Sequence, residues 1–126
     1  MIASRILPDQ DLKKGILEIL KNQNLKSGFI ISIVGSLNVA VLRTADGSIK
    51  FFKGPLEIVS AEGTVSNDGV HIHISISDSD GMVYGGHLMD GCKINTTAEI
   101  GILKSKKEFK RVLDRKTGYK ELFINK

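Results

Sequence analysis

The stretch GVHIHISISDSDGMVYGGHL, residues 69–88, constrains the fold more than any other part of the chain and holds all three of its histidines. Apolar and polar residues alternate over residues 70–77, which is typical of a half-buried strand. The cluster DSDG, residues 78–81, then predicts a tight turn, so that residues 82–88 return as a second strand. A β-hairpin that carries every imidazole of the protein suggests a metal site.

The length of the hairpin loop decides whether the histidines can meet. A two-residue loop would set His87 opposite Ile74, on the face away from His73. We favour a three-residue loop, Ser79-Asp80-Gly81, because its last position requires the left-handed conformation that glycine adopts readily. His73 then lies directly opposite His87, and His71 lies two residues along on the same face.

The other face of the hairpin supports this register independently. With a three-residue loop, Ile72 meets Leu88, Ile76 meets Tyr84 and Ile74 meets Gly86, which makes one coherent apolar side. A slip by one residue would scatter these side chains over both faces. Hydrophobic patterning alone therefore predicts this register, independently of any metal site.

Three neutral imidazoles on one face can bind a divalent metal, for which zinc is the favoured ion, and leave one position for water or another ligand. The metal ligands predicted from this pattern are His71, His73 and His87. The alternative is that they are unrelated surface residues, hydrogen-bonded to serines or water. Three glutamates in strand-like surroundings are candidates to support the ligands or to act as acid and base, namely Glu57, Glu62 and Glu99.

Outside the hairpin, an N-terminal helix is expected from the apolar residues Leu12, Ile16, Ile19 and Leu20, which share one helical face, with Asp9 as its cap. Short β-rich segments separated by glycine follow, with breaks at residues 35–36 and 54–55 and a last strand at residues 122–124. The predicted fold class is α+β, with the N-terminal helix packed on a mainly antiparallel β-sheet. We expect residues 1–126 to form a single domain.

Composition sets broad limits on the kind of protein. The chain has 126 residues, a formal net charge of +4 and one cysteine, Cys92, which we interpret as a small core residue of a cytoplasmic protein. No targeting pattern or membrane-spanning run is present, so no membrane partner is expected. Five basic residues close together are candidates for nucleic-acid contacts, although they would also suit a solvated surface: Lys104, Lys106, Lys107, Lys110 and Arg111.

Three segments of the sequence resemble the plants-and-prokaryotes conserved (PPC) domain family. They are GSLNVAVLR (residues 35–43), GPLEIVSAEGTVSNDGVHIHISISDSDGMVYGGHLMDGCKINTTAEI (residues 54–100) and GYKELFI (residues 118–124). The resemblance implies an α+β fold with an antiparallel sheet, assembly as a homotrimer and, in prokaryotic members, a protein of this domain alone. It also implies that DNA or a DNA-binding protein is a partner and that the histidines hold a metal.

Two departures from the family pattern limit what the resemblance implies. Plant members carry the domain behind AT-hook motifs that bind DNA, and no such motif occurs in this chain. The plant segment GRFEI, associated there with partner contacts, is GPLEI here, at residues 54–58. The arginine and phenylalanine of that segment are therefore replaced by proline and leucine.

Two functions from different classes fit the sequence. The first is a DNA-associated or regulatory interaction module, a homotrimer with a metal bound by three histidines. The second is a metal-dependent enzyme that acts on a small molecule through a histidine-bound water, with a glutamate moving protons. A cupin-like arrangement is a weaker alternative, because Val65 stands where the leading glycine of that motif belongs.

Overall fold

The computed structural model describes residues 1–124, which form eight strands and one α-helix. In chain order they are β1 (Ile2–Ile6), α1 (Leu12–Asn22), β2 (Ser27–Arg43), β3 (Ile49–Ser66), β4 (Gly69–Ser77), β5 (Val83–Leu88), β6 (Lys93–Lys104), β7 (Phe109–Leu113) and β8 (Lys120–Ile124). No helix within this part of the chain is long and apolar enough to cross a bilayer.

All strand pairs of the main sheet are antiparallel, as predicted, and the strand order is β1-β6-β2-β3-β4-β5. The edge strand β5 also pairs with the end of β2, through Leu42 opposite Leu88 and Arg43 opposite His87. This contact joins β2, β3, β4 and β5 into a closed ring. The last two strands, β7 and β8, form a separate hairpin.

The predicted α+β class is wrong. Strands account for 63% of the structure and helix for 9%, so this is a β-rich fold with a single short helix. The single helix, α1, has only 11 residues, and the residues before the turn at Pro8-Asp9 form the strand β1. β1 pairs with β6, a contact with the far end of the chain.

The strands are also longer than predicted, because glycines expected to end them lie inside them. β2 runs unbroken through Gly35, where a Cβ atom would collide with the carbonyl oxygen of Thr97 on β6. Glycine here lets two backbones approach closely while the register shifts by a β-bulge between Gly35 and Leu37. β3 likewise continues through Gly54-Pro55.

The helix begins two residues later than expected. Asp11, not Asp9, is its N-cap, and one carboxylate oxygen of Asp11 accepts a hydrogen bond from the backbone N–H of Lys14 at 3.1 Å. The other oxygen accepts from the N–H of Gly91 at 2.7 Å, so the cap also fixes the loop before β6. The four residues predicted to share the apolar face are all buried: Leu12, Ile16, Ile19 and Leu20.

One hydrophobic core joins the helix to the sheet. It includes Ile72, Ile74 and Ile76, which form the inward face of β4, and Leu88 of β5. Cys92 belongs to the same core, as predicted, and burial raises the pKa of its thiol to about 11. Because the even-numbered residues of β4 are committed to the core, the odd-numbered histidines must lie on its outer face.

Candidate metal centre

The β4–β5 hairpin has the register predicted from its loop. His73 lies opposite His87, Ile74 opposite Gly86 and Ile76 opposite Tyr84. Gly81 closes the loop with a φ of +79°, and its N–H donates to the carbonyl of Asp78 at 3.0 Å. The Asp78 carboxylate accepts from two further backbone N–H groups of the loop at 2.9 Å, so this aspartate shapes the turn.

The hairpin brings the three histidine side chains together. One ring nitrogen from each of His71, His73 and His87 can be chosen so that all three lie within 4.8 Å of one another. The ring centroids are 5.1 Å apart for two of the pairs and 5.8 Å apart for His73 and His87. Nitrogens that share one tetrahedral zinc lie about 3.4 Å apart, so small rotations of the rings would complete such a site.

His87 differs from the other two histidines in having a buried ring nitrogen without a hydrogen-bond partner. Among the buried side-chain nitrogens and oxygens of residues 1–124, its Nδ1 alone has no hydrogen-bond partner. A buried polar atom without a partner costs free energy, and a metal ion is one way to satisfy it. His71 and His73 are exposed and His87 is half-buried, so the cluster is reachable from solvent.

The surroundings favour the neutral imidazoles that metal binding requires. Burial, reinforced by the nearby positive charge of Arg43, lowers the pKa of His87 to about 4. Burial, followed by the charge of Arg111, also lowers the pKa of His71. At neutral pH both rings therefore offer a lone pair without first losing a proton.

Of the three candidate glutamates, the structure places only Glu62 at the cluster. Glu62 lies directly opposite His73 on the neighbouring strand β3. Glu57 lies opposite Ser77, which is about 13 Å along β4 from His73 at the usual rise of a strand. Glu99 is on β6 and pairs with Arg5 of β1, in another part of the sheet.

The five basic residues divide into two groups. Lys104, Lys106, Lys107 and Lys110 are exposed along the end of β6, the following turn and β7. Arg111 is half-buried, and its guanidinium donates to the hydroxyl of Thr64, which pairs with His71. The structure thus sets Arg111 beside the histidines, apart from the four lysines.

Two residues near the cluster were missed by sequence reasoning. Arg43 at the end of β2 lies opposite His87, and its guanidinium stacks on the ring of Tyr119 at 5.0 Å from the ring centre. Tyr119 immediately precedes β8, so the C-terminal hairpin forms one wall of the site. No local motif marks either residue, because both reach the site through contacts distant in sequence.

The family model of the Plants and Prokaryotes Conserved (PCC) domain matches residues 1–106 of the chain. The hairpin β7–β8, which supplies Arg111 and Tyr119, lies beyond the matched residues.

Among curated proteins, the chain is 44% identical over 124 residues to the Bifunctional protein GlmU of Synechococcus sp. (strain JA-3-3Ab). The match covers 97% of this chain and 20% of that protein, so the chain spans about one-fifth of the length of this relative.

Several solved structures share the fold. A hypothetical protein of Salmonella cholerae-suis matches with a TM-score of 0.91 and 32% identity over 98% of this chain and 91% of its own. The metal-containing protein AF0104 of Archaeoglobus fulgidus matches with a TM-score of 0.78 and 27% identity over 97% and 91%. A proposed DNA-binding protein of Bacteroides thetaiotaomicron, 22% identical with a TM-score of 0.80 over 98% and 89%, shares the fold.

The lowered pKa of His87 predicts how stability depends on pH in the metal-free protein. An unfolded chain protonates this ring near pH 6.5, whereas the folded chain keeps it neutral down to about pH 4. The free energy of unfolding should therefore be highest above pH 6.5 and decline as the pH falls towards 4. NMR titration of the imidazole together with urea unfolding at several pH values measures both quantities.

The variant His87→Gln is the control for this prediction. It removes the titrating ring, so the decline between pH 6.5 and 4 should become shallower, with the rest due to other groups such as His71. A His87 ring that titrates near pH 6.5 in the folded protein would contradict the burial argument.

Proposed function

This chain belongs to the Plants and Prokaryotes Conserved (PCC) domain family, and from that premise we propose that it is a metal-binding regulatory module. In this proposal His71, His73 and His87 hold one divalent metal ion. The observation that carries it is the convergence of three imidazoles within 4.8 Å, one of them with a buried nitrogen that has no other partner. The structurally similar protein AF0104, which is metal-containing, adds support.

We propose zinc as the metal because of the donor set. Three neutral imidazoles and one open position suit zinc, whereas magnesium and calcium prefer oxygen ligands. A bound zinc would act as a Lewis acid that attracts an oxygen ligand into the position left free. The chain itself supplies the orientation: β4 and β5 fix the three rings, and Glu62 stands beside His73 to receive a proton or a hydrogen bond.

A homotrimer is the assembly that the family resemblance implies, and we propose it for this chain. Exposed apolar side chains on two neighbouring strands of the sheet support association, since Phe29, Ile31 and Val34 of β2 and Leu103 of β6 are between 41% and 58% exposed. Contiguous apolar surface of this kind is unusual on a monomer and is commonly covered in an assembly.

DNA or a DNA-binding protein is the partner that we propose for this module. The four exposed lysines, Lys104, Lys106, Lys107 and Lys110, form a basic strip at the end of the main sheet and the start of β7. Such a strip can neutralise phosphates without reading bases. Lys26 lies close to it, paired with Glu108 at 2.6 Å.

A metal-dependent enzyme is the second candidate function, and the position of Glu62 favours it. A carboxylate beside a histidine ligand is well placed to take a proton from a bound water. The arrangement alone does not require turnover, because the same carboxylate also suits a ligand-binding site. We therefore favour the regulatory module over the metal-dependent enzyme.

Metal binding should depend on each histidine. Protein purified without an affinity tag should carry one zinc per chain by elemental analysis. In calorimetric titrations His71→Ala, His73→Ala and His87→Ala should each weaken zinc binding by at least roughly 100-fold, since loss of a direct ligand exceeds the usual effect of an outer partner. Zinc at 100 times its dissociation constant should raise the stability of the wild-type protein by about 2.7 kcal/mol.

Ser75→Ala provides the matched control, because Ser75 lies on β4 next to His73 on the same face and opposite Gly85. It should leave zinc binding unchanged. Equal affinity in the histidine variants and in Ser75→Ala would rule out this metal site.

DNA binding should depend on the basic strip. In fluorescence anisotropy with a labelled duplex, Lys106→Gln combined with Lys107→Gln should weaken binding and lower the slope of log affinity against log salt by nearly 2. The control pair Lys50→Gln and Lys53→Gln removes the same charge from two exposed residues of β3. Equal loss in both pairs, or binding that disappears well below physiological salt, would indicate only general charge attraction.

A further inference from the structure

A second feature of the site is a cavity of about 510 Å³ that opens onto the histidines. It lies between α1 and the β7–β8 hairpin, and His71 and His87 are among the residues that line it. Arg43 and Arg111 both line it. Two of the three histidines of the proposed metal site therefore face a cavity that two arginines also line.

The guanidinium groups of Arg43 and Arg111 are not engaged in ion pairs within residues 1–124 and can bind an anionic ligand. The ion pairs of residues 1–124 are Lys13 with Asp90 and Lys26 with Glu108, so no carboxylate lies within 4 Å of either guanidinium. Arg43 stacks on Tyr119, and Arg111 donates to the hydroxyl of Thr64. Neither contact neutralises the charge. The charge of Glu121 acts on Arg111 without forming an ion pair with it, and a half-buried guanidinium without a close counter-ion is costly.

A divalent metal on the histidines would make this imbalance larger. Its two positive charges would add to those of the two arginines. The carboxylates that line the cavities around the cluster are those of Glu62, Asp68 and Glu121. Lys13 and Lys120 line the same cavity and offset part of that negative charge. An anion that contacts both the metal and the arginines removes the repulsion.

We infer that this cavity binds a small organic oxyanion, whose carboxylate or phosphate oxygen takes the metal position left open by the three histidines while Arg43 and Arg111 hold the same group. This inference rests on the proposed metal site and names the class of its ligand. Guanidinium groups bind both carboxylate and phosphate through paired hydrogen bonds, and zinc accepts oxygen from either.

The cavity also selects for an apolar body behind the charged group. Leu17 of α1 and Val70 of β4 form part of its wall, and the ring of Tyr119 forms another part. A volume of about 510 Å³ exceeds the needs of an inorganic ion and falls in the usual range for small-molecule sites. The ligand is therefore a compact organic acid or phosphate ester and not a bare anion.

The test uses the full chain loaded with Co(II), which replaces zinc in imidazole sites and gives visible absorption bands that change with its ligands. Benzoate and phenyl phosphate are the charged probes, benzamide is the neutral probe of the same shape, and acetate lacks the apolar body. Benzoate or phenyl phosphate should alter the Co(II) bands and bind more tightly than acetate. Benzamide should do neither.

Arg43→Gln and Arg111→Gln should each weaken binding of the charged probe by roughly 10- to 100-fold while Co(II) still binds. Arg115→Gln is the matched control, because Arg115 is an exposed arginine between β7 and β8 that does not line the cavity, and its substitution removes the same charge. Circular dichroism of each variant confirms that it is folded.

The outcomes separate this inference from the metal site itself. Chain that binds no Co(II) overturns both. Chain that binds Co(II) but shows bands unchanged by either oxyanion overturns the ligand alone, as does benzamide binding equal to that of benzoate. Equal oxyanion affinity with and without metal contradicts the shared coordination, and an equal loss in Arg115→Gln contradicts the role of the two arginines.

Discussion

The register of the β4–β5 hairpin is the constraint on which the site depends. Side chains alternate along a strand, so a slip by one residue would turn His87 to the opposite face from His73. The loop Ser79-Asp80-Gly81 and the buried isoleucines of β4 fix the same register from two directions, one through backbone geometry and one through the core. The histidines meet because the isoleucines on the other face of β4 are packed in the hydrophobic core, which fixes the register of the strand.

The rest of the fold adds charged and aromatic side chains around this cluster, which stays open to solvent. The contact between β2 and β5 brings Arg43 opposite His87, and the β7–β8 hairpin adds Arg111 and Tyr119. Partial burial by these elements, with the nearby charges of Arg43 and Arg111, lowers the pKa of His87 and of His71, so these two imidazoles are neutral at pH 7. The positive charge of Arg43 and Arg111 disfavours a metal ion that has no anionic ligand and favours a metal ion that carries one.

The sequence predicted what depends on local contacts. The loop, the register and the shared face of the histidines follow from residues 69–88, and the apolar face of α1 follows from its spacing. Contacts between distant segments could not be predicted. Gly35 does not end a strand, because it allows β2 to approach β6 closely, and Arg43 lies opposite His87 because β2 pairs with β5. The fold class was wrong for the same reason, since long strands and β1 depend on distant partners.

X-ray absorption spectroscopy at the zinc edge, on full chain loaded with one equivalent of zinc, tests the central claim most directly. Three imidazoles should give three nitrogen ligands at about 2.0–2.1 Å, with the outer-shell scattering of the rings, and a fourth light-atom ligand. Zinc surrounded by oxygen alone, or bound to a single imidazole, would contradict the account. It would mean that the hairpin gathers its three histidines for another purpose.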